Sequence, residues 1–175
     1  DDIDKFISYV NQNDISVNST IKNSIFESNR FLLKQKSIEL IEYSTFFGAN
    51  QIFKYLSCNG ATLTSSLWLY SIHSCDQEII DFLYEKKNYI DLNYDLESIK
   101  CHHNDTLNYI NSLQYENKIP QNDINYSSYN YYNFFYFDIK SLDQIDFFSA
   151  CKFFHNILVN ILIKYKAMDL NNTYI

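Results

Sequence analysis

Three places in the sequence bring a thiol close to an imidazole, the combination used in nucleophilic catalysis. They are Cys101-His102-His103, His73 with Cys75, and Cys151 with His155. Such catalysis needs a nucleophile, a base and an orienting group that converge. Cys151 and His155 are four residues apart, but a turn between two helices is expected there, which would separate them. An enzyme that uses Cys101 and His103 is kept as a rival interpretation.

The remaining reactive residue types are better explained by structure. Zinc sites close around four ligands, and no four candidate ligands are spaced for that here. Paired carboxylates such as Asp81 with Glu85 suit helix first turns or solvated faces. Two glycines cannot build a glycine-rich phosphate loop. We therefore expect no catalytic, cofactor-binding or metal-binding residues and no small-molecule substrate.

Charge and hydropathy exclude several classes of partner. The net charge is −7, and no run of Lys or Arg exceeds the pair Lys86-Lys87. A phosphate-backbone binder needs a clustered cationic face, so nucleic acid is not expected as a partner. The longest apolar stretch, Ile157 to Ile163, is far shorter than the roughly 20 residues of a membrane span. The chain opens Asp1-Asp2-Ile3-Asp4 without a signal peptide, and we expect a cytoplasmic location.

The cysteines agree with that location. Cys58, Cys75, Cys101 and Cys151 lie far apart in the sequence and form no C-x-x-C pair. Disulfides form mainly in oxidising compartments. We therefore predict reduced and mostly buried thiols, with disulfides as the alternative.

The first 36 residues are predicted to form an N-terminal helical cap. Apolar residues at i, i+3, i+4 and i+7 predict an amphipathic helix in the opening segment; they are Ile3, Phe6, Ile7 and Val10. A second helix is predicted over Ser24 to Lys36, which carries apolar residues without a clean register.

From Ser37 the sequence repeats with a period of 27 residues. Tyr43-Ser44 recurs as Tyr70-Ser71 and Glu97-Ser98, and the same spacing continues less regularly at Tyr126-Ser127 and Ser149-Ala150. Such self-similarity is typical of a solenoid, in which one helical hairpin buries its apolar side only against its neighbours. We predict an all-α fold in which residues 37–175 form about five units, at 37–64, 65–93, 94–119, 120–144 and 145–171.

Each of the first two units reads as two short antiparallel helices. The predicted helices are Ile38 to Phe47, Asn50 to Cys58, Ser66 to His73 and Gln77 to Tyr84. Apolar residues in the second helix of each unit form a stripe that packs inward. Gly48 falls at a break where a helix C-terminus tolerates a left-handed residue.

The fourth unit has the least regular pattern. The only proline, Pro120, lies in a polar stretch that reads in part as a connection. The run Tyr131 to Phe137 is so aromatic that a strand is an alternative to a helix. Exposed, it would be an aggregation hazard, so we expect the stack to bury it.

Several positions match the ankyrin consensus T-P-L-H-x-A-A-x-x-G-H-x-x-I-V-x-L-L-x-x-x-G-A. Gly48 stands at the first Gly, His103 and His155 at the His after it, and Trp68 at the Leu of the first helix. No unit contains T-P-L-H. With the wording I-E-Y-S-T-F-F-G before residue 49 and S-L-W-L-Y-S-I-H at 66–73, the chain resembles the degenerate ankyrin-like domain of unknown function that is expanded in some protozoan parasites.

This resemblance implies helical hairpins joined by protruding loops, and it implies binding of another protein as the function. It also implies core packing for Trp68 and local hydrogen bonding for His103 and His155. Partners of ankyrin-like stacks contact loop tips and the concave helix face, which correspond here to Asn59 to Ser65 and Lys86 to Tyr94. The residues assigned to partner binding are Asn59, Thr62, Lys86, Lys87, Asn88 and Tyr89. A structural module that spaces other domains is the alternative function.

Overall fold

Helices dominate the part of the chain that the structure describes. The structure is a computed structural model that describes residues 1–22, 24–86, 94–113, 121–135 and 142–166. Within these residues the elements are α1 (Ile3–Gln12), β1 (Thr20–Ile21), α2 (Arg30–Lys34), β2 (Ile38–Glu39), α3 (Leu40–Phe46), α4 (Asn50–Cys58), α5 (Leu67–Ser74), α6 (Gln77–Glu85), α7 (Tyr94–Cys101), α8 (Asn104–Leu113), α9 (Gln121–Tyr131), α10 (Gln144–Lys152) and α11 (Asn156–Lys166). For the described residues, the all-α part of the fold prediction is confirmed.

The N-terminal 36 residues are less helical than predicted. The opening helix is present as α1, but the helix predicted over Ser24 to Lys36 is wrong except for the five residues of α2. The side chains of Ser24 and Glu27 accept hydrogen bonds from backbone N–H groups two residues later. Such local bonds compete with a helix. The segment also contributes β1, which pairs antiparallel with β2.

Asp1 links the N-terminal segment to α4 through hydrogen bonds. The Asp1 carboxylate accepts hydrogen bonds from the backbone N–H groups of Gln51 at 2.6 Å and Ile52 at 3.1 Å. These groups lie in the first turn of α4, where N–H donors have no partner within the helix and the helix dipole favours a negative charge. Helix α1 contacts α4 as well.

The later helices contact one another in a regular order. Helices α3 and α4 pack together, as do α5 and α6, α7 and α8, and α10 and α11. The helices α3, α5, α7, α9 and α10 also contact one another in that order, and we call these five the first helices. Helix α4 contacts α6 as well. The predicted bounds of α4 are confirmed, and those of α5 and α6 are confirmed to within one residue at each end. The helix predicted to begin at Ile38 begins at Leu40, because Ile38 and Glu39 pair with β1.

The same turn ends each first helix. A residue with positive φ follows it; these residues are Gly48, Cys75, His102, Tyr132 and Phe154, at spacings of 27, 27, 30 and 22. At four of the five turns, the next residue donates its N–H to a carbonyl five residues earlier, as His103 does to Ser98 and His155 to Ala150. This left-handed termination satisfies carbonyls at the helix end. Four non-glycine residues therefore adopt a conformation that glycine adopts with the least strain.

A small buried residue lies four positions before each of these turns. The five residues are Ser44, Ser71, Ser98, Ser128 and Ala150. Small side chains here let first helices approach one another closely. The repeat pattern in the sequence placed the fourth of these residues at Ser127, whereas the structure has Ser128 there. Ser128 is buried, and its backbone carbonyl accepts the N–H of Asn133. In α9 the small buried residue thus lies one position later than the sequence predicted.

The core runs along the helix pairs. Trp68 and Leu56 are fully buried in one cluster that extends from Ile41 to Ile110, and a second cluster surrounds Tyr129 and Leu162. The predicted place of Trp68 in the core is confirmed. Because the first helices pack side by side, one side of each stays available to line a surface.

Candidate functional site

The cysteine and histidines at 101–103 do not converge. Cys101 is the last residue of α7, His102 has positive φ, and His103 precedes α8. The chain reverses between them, so the side chains diverge. Cys101 Sγ lies 3.8 Å from His73 Nδ1, His102 Nε2 lies 3.0 Å from the carbonyl oxygen of Tyr131, and His103 Nδ1 lies 3.0 Å from Cys75 Sγ.

The Cys75 and His103 pair is the closest approach of a thiol and an imidazole in the described part of the chain. Cys75 is exposed and His103 is half-buried. Burial, with smaller contributions from His73 and His102, lowers the pKa of His103. A neutral imidazole gives little electrostatic support to a thiolate. Among the described residues, no carboxylate hydrogen-bonds to His103 to orient it.

His155 has the local role that the ankyrin resemblance implied. It is buried, and its Nε2 donates a hydrogen bond of 2.7 Å to the carbonyl oxygen of Tyr129 in the preceding first helix. The rings of Tyr132 and Phe134 lie against it, with centroids 4.3 and 4.8 Å away. Cys151 is exposed on α10. The left-handed turn separates Cys151 from His155, as expected from the sequence.

A second cluster joins α5 to α7. His73 Nε2 lies 3.2 Å from Glu97 Oε1, and Lys100 Nζ lies 2.6 and 2.7 Å from the two Glu97 oxygens. Burial raises the pKa of Glu97, but His73 and Lys100 together outweigh burial and hold that pKa at about 2. Burial and the nearby Glu97 charge raise the pKa of Cys101 to about 11.

The prediction of mostly buried thiols is wrong, although the cysteines are free, as expected. Cys58, Cys75 and Cys151 are exposed, and Cys101 is half-buried. All four lie within the last two residues of a helix or just after it. Helix ends face solvent at the turns, which explains their exposure.

The thiol of Cys101 is expected to react slowly with maleimide. A pKa of about 11 leaves roughly 100-fold less thiolate at pH 7 than the ordinary value. Because the thiolate is the reacting form, we expect a variant that retains only Cys101 to react with maleimide at least about tenfold more slowly than one that retains only Cys58. Labelling reactions that are quenched at a series of times and analysed by mass spectrometry measure both rates. Faster labelling of Cys101 would favour the rival in which Cys101 and His103 catalyse a reaction.

A groove of about 620 Å³ crosses the exposed side of the first helices. It is lined by Lys34, Leu69, Leu96, Glu97, Lys100, Tyr126, Ser127, Asn130 and Tyr131. Leu69, Leu96 and Tyr126 each lie two residues before a small buried residue, so equivalent positions of three successive helices meet in it. We call this surface the first-helix groove.

The loop residues assigned to partner binding lie elsewhere. Asn59 and Thr62 are exposed after α4, where Asn59 Nδ2 donates to the Tyr55 carbonyl oxygen and Thr62 N–H donates to Asn18 Oδ1. Lys86 is exposed after α6, with Nζ 5.3 Å from the Phe82 ring centroid. None of these three lines the first-helix groove. Lys87, Asn88 and Tyr89 lie outside the described residues.

The described aromatic residues of the run at 131–137 are not buried, although Asn133 between them is. Residues Tyr131, Tyr132, Phe134 and Phe135 are exposed, so the expectation of burial is wrong for them. Tyr131 ends α9, and residues 132–135 form neither helix nor strand. Tyr132 and Phe134 line an apolar depression of about 650 Å³ with Phe154 and Ile157. The aromatic composition was the sequence signal for this surface, but it was assigned to the core.

The comparisons add no family to these observations. A comparison with protein-family models finds no match to the chain, and comparisons with curated proteins and solved structures find none either. In the residues that the structure describes, every helix is too short or too polar to cross a membrane.

Proposed function

We propose that the chain is a stack of degenerate ankyrin-like hairpins that binds a segment of another protein in the first-helix groove. The observation that carries this proposal is the recurrence, at five first helices, of the left-handed turn and the small buried residue. Stacked units of this kind present equivalent positions side by side. A surface made of repeated positions is extended, and it suits a partner segment that crosses several units.

The composition of the groove suits a protein partner. Leu69 and Leu96 are half-buried and offer apolar contact, whereas Tyr126 and Tyr131 are exposed tyrosines with a polar end. Tyrosine is enriched in protein interfaces because it combines a large ring with a hydrogen-bonding hydroxyl. Lys34 adds a positive charge to the lining. We infer binding without catalysis, because the described imidazoles serve contacts between units.

A cytoplasmic location fits the same proposal. Three exposed free thiols suit a reducing compartment. A spacer module is the second candidate, and it requires no partner at all at the groove. Photo-crosslinking at the groove distinguishes the binding module from the spacer.

Tyr126 and Tyr84 give a matched pair for this test. Tyr126 is 48% exposed in the groove, and Tyr84 is 44% exposed on α6, away from it. With a photo-reactive phenylalanine at either position, we expect a specific protein adduct from 126 and none from 84. Irradiation in cells and mass spectrometry of the purified adducts identify the partner.

The same pair then measures the contribution of the groove. Tyr126→Ala is expected to weaken binding of the identified partner by roughly tenfold or more, as for an interface aromatic, and Tyr84→Ala should leave it unchanged. Because Tyr126 also contacts Phe153, with ring centroids 5.5 Å apart, circular dichroism must show both variants folded. Equal adducts at both positions, or none at 126, would contradict binding in the groove.

A further inference from the structure

Three possible metal ligands from neighbouring first helices converge beside the groove. His73 lies on α5, whereas Glu97 and Cys101 lie four residues apart on α7. Residues at this spacing share one face of a helix. One donor atom from each residue lies within 4.8 Å of the other two.

The distances between these atoms fit a single ion. Glu97 Oε1 lies 3.2 Å from His73 Nε2 and 3.7 Å from Cys101 Sγ. At zinc bond lengths and tetrahedral angles, a nitrogen and an oxygen ligand are about 3.3 Å apart, and a sulfur lies about 3.6 Å from either. Both separations from Glu97 Oε1 match these values. The nearest printed contact between His73 and Cys101 is from the other ring nitrogen, with Nδ1 3.8 Å from Sγ, so a rotation of the imidazole or of the thiol is needed to close all three ligands on one cation.

His73 contributes a buried nitrogen to this cluster. Its Nε2 is buried and makes no hydrogen bond, although it lies at ion-pair distance from Glu97. A buried polar atom without a hydrogen bond is costly, so it calls for an explanation. The ring is fixed by Phe31 and Phe46, whose centroids lie 4.2 and 4.9 Å away. The imidazole is thus held in place, and a cation between Nε2 and Glu97 would replace a contact that lacks hydrogen-bond geometry with a ligand bond.

We propose that His73, Glu97 and Cys101 bind a divalent cation of the zinc class, with water as the fourth ligand. Thiolate, imidazole and carboxylate are ligands of zinc, whereas magnesium and calcium prefer oxygen alone. On binding, the Cys101 thiol gives its proton to water. The ion links α5 to α7. Glu97 also lines the first-helix groove, but zinc binding by the three side chains requires no bound partner.

Lys100 is the competitor for this site. Its ammonium contacts both oxygens of Glu97 and would lie close to the cation. Coordination by Oε1 leaves Oε2 for Lys100. Lys100→Gln, which removes the positive charge and the competition, is therefore expected to tighten zinc binding several-fold.

The experiment uses a background in which Cys58, Cys75 and Cys151 are replaced by serine, so that exposed thiols cannot bind the probe. Zinc competition against a chromophoric chelator gives affinity, and cobalt absorption reports thiolate coordination through its charge-transfer band. We expect one zinc per chain, a cobalt–thiolate band, and a melting temperature that rises with zinc. Cys75 is absent from this background, so binding also shows that Cys75 is dispensable.

Ligand variants distinguish coordination from general support. Cys101→Ser, Glu97→Gln and His73→Phe should each weaken zinc binding by more than about 100-fold, since a residue that only supports a ligand typically accounts for 10- to 100-fold. His73→Phe keeps a ring between Phe31 and Phe46, and Trp68 fluorescence confirms folding of each variant. His102→Asn is the control and should bind zinc as the background does.

Three results would overturn the site. They are the absence of a cobalt–thiolate band in the folded background, zinc affinity that is unchanged by Cys101→Ser, and zinc binding that is weakened by Lys100→Gln. If a ligand variant unfolds, the spectrum of the background alone still decides whether thiolate coordinates the probe.

Discussion

Trp68→Ala is expected to lower the free energy of unfolding by about 3 to 5 kcal/mol, the usual cost of truncating a buried aromatic residue. Trp68 is fully buried on α5, which packs between the first helices α3 and α7. The change removes the largest side chain of the main core cluster. It also leaves a cavity in the core cluster, because close-packed neighbours collapse only in part.

Urea unfolding followed by circular dichroism measures this loss, since the variant lacks the tryptophan signal. Tyr84→Ala on α6 is the matched control, because Tyr84 is exposed, and we expect a change within about 0.5 kcal/mol. A loss below about 1 kcal/mol for Trp68→Ala would fall outside the range for a buried aromatic. It would show that the packing of α5 between α3 and α7 is wrong.

The helix pairs could be predicted where apolar periodicity and spacing agree. The bounds of α4, Asn50–Cys58, follow from the stripe that contains Phe53 and Leu56, and both residues are fully buried. The N-terminal segment could not be predicted in the same way. Ile25 and Phe26 are apolar but 93% and 88% exposed, because local hydrogen bonds of Ser24 and Glu27 hold that chain in turns.

The side-chain pairs between units follow the sequence period, although we did not predict them from it. Cys75 contacts His103 and His73 contacts Cys101, and each pair is separated by 28 residues. His155 accordingly reaches Tyr129, 26 residues earlier. A period of 27 makes residues near that separation neighbours. A search for thiols, imidazoles and carboxylates one period apart would have found the α5–α7 cluster, whereas a search for adjacent motifs could not.

The exposure of a surface is harder to predict than the pairing. The tyrosines of the first-helix groove and the aromatic residues at 131–135 are residue types typical of a core. The sequence alone does not show whether their side chains face the core or the solvent. Tyr129 is fully buried, whereas Tyr126 is 48% exposed three residues away on the same helix. The one-residue shift from Ser127 to Ser128 decides which of them faces inward. The exposed tyrosines of α9 could therefore be predicted only with the correct register of that helix, which the turn at Tyr132 sets.

Asp95 provides the second large expected effect, an increase in stability. It is 3% exposed on α7, and its Oδ1 has no hydrogen-bond partner. Burial raises the pKa of Asp95 to about 6, although a hydrogen bond from Tyr94 opposes that rise. A buried charge without sufficient partners destabilises the fold. Asp95→Asn keeps the shape of the side chain and removes the charge, so we expect it to raise the free energy of unfolding by roughly 2 to 3 kcal/mol at pH 7.

The pH dependence fixes the sign of this effect. Because the folded state holds the Asp95 proton more tightly than the unfolded chain does, the penalty is full above pH 6 and disappears as the pH falls toward 4. Glu97 acts in the opposite direction at lower pH, since its pKa of about 2 gives stability that is lost below about pH 4.5. The difference between Asp95→Asn and the parent protein should therefore shrink from pH 7 to pH 4.5.

Urea midpoints at pH 7.5, 6 and 4.5 measure that difference, with Asp105→Asn as the control for loss of an exposed carboxylate on α8. The control should change stability by less than about 0.5 kcal/mol. If Asp95→Asn destabilises the protein at pH 7.5, the ionised carboxylate has a partner that stabilises it, and the start of α7 is a charged contact. A gain that is equal at all three pH values would instead point to packing, because only a titrating carboxylate loses its penalty in acid.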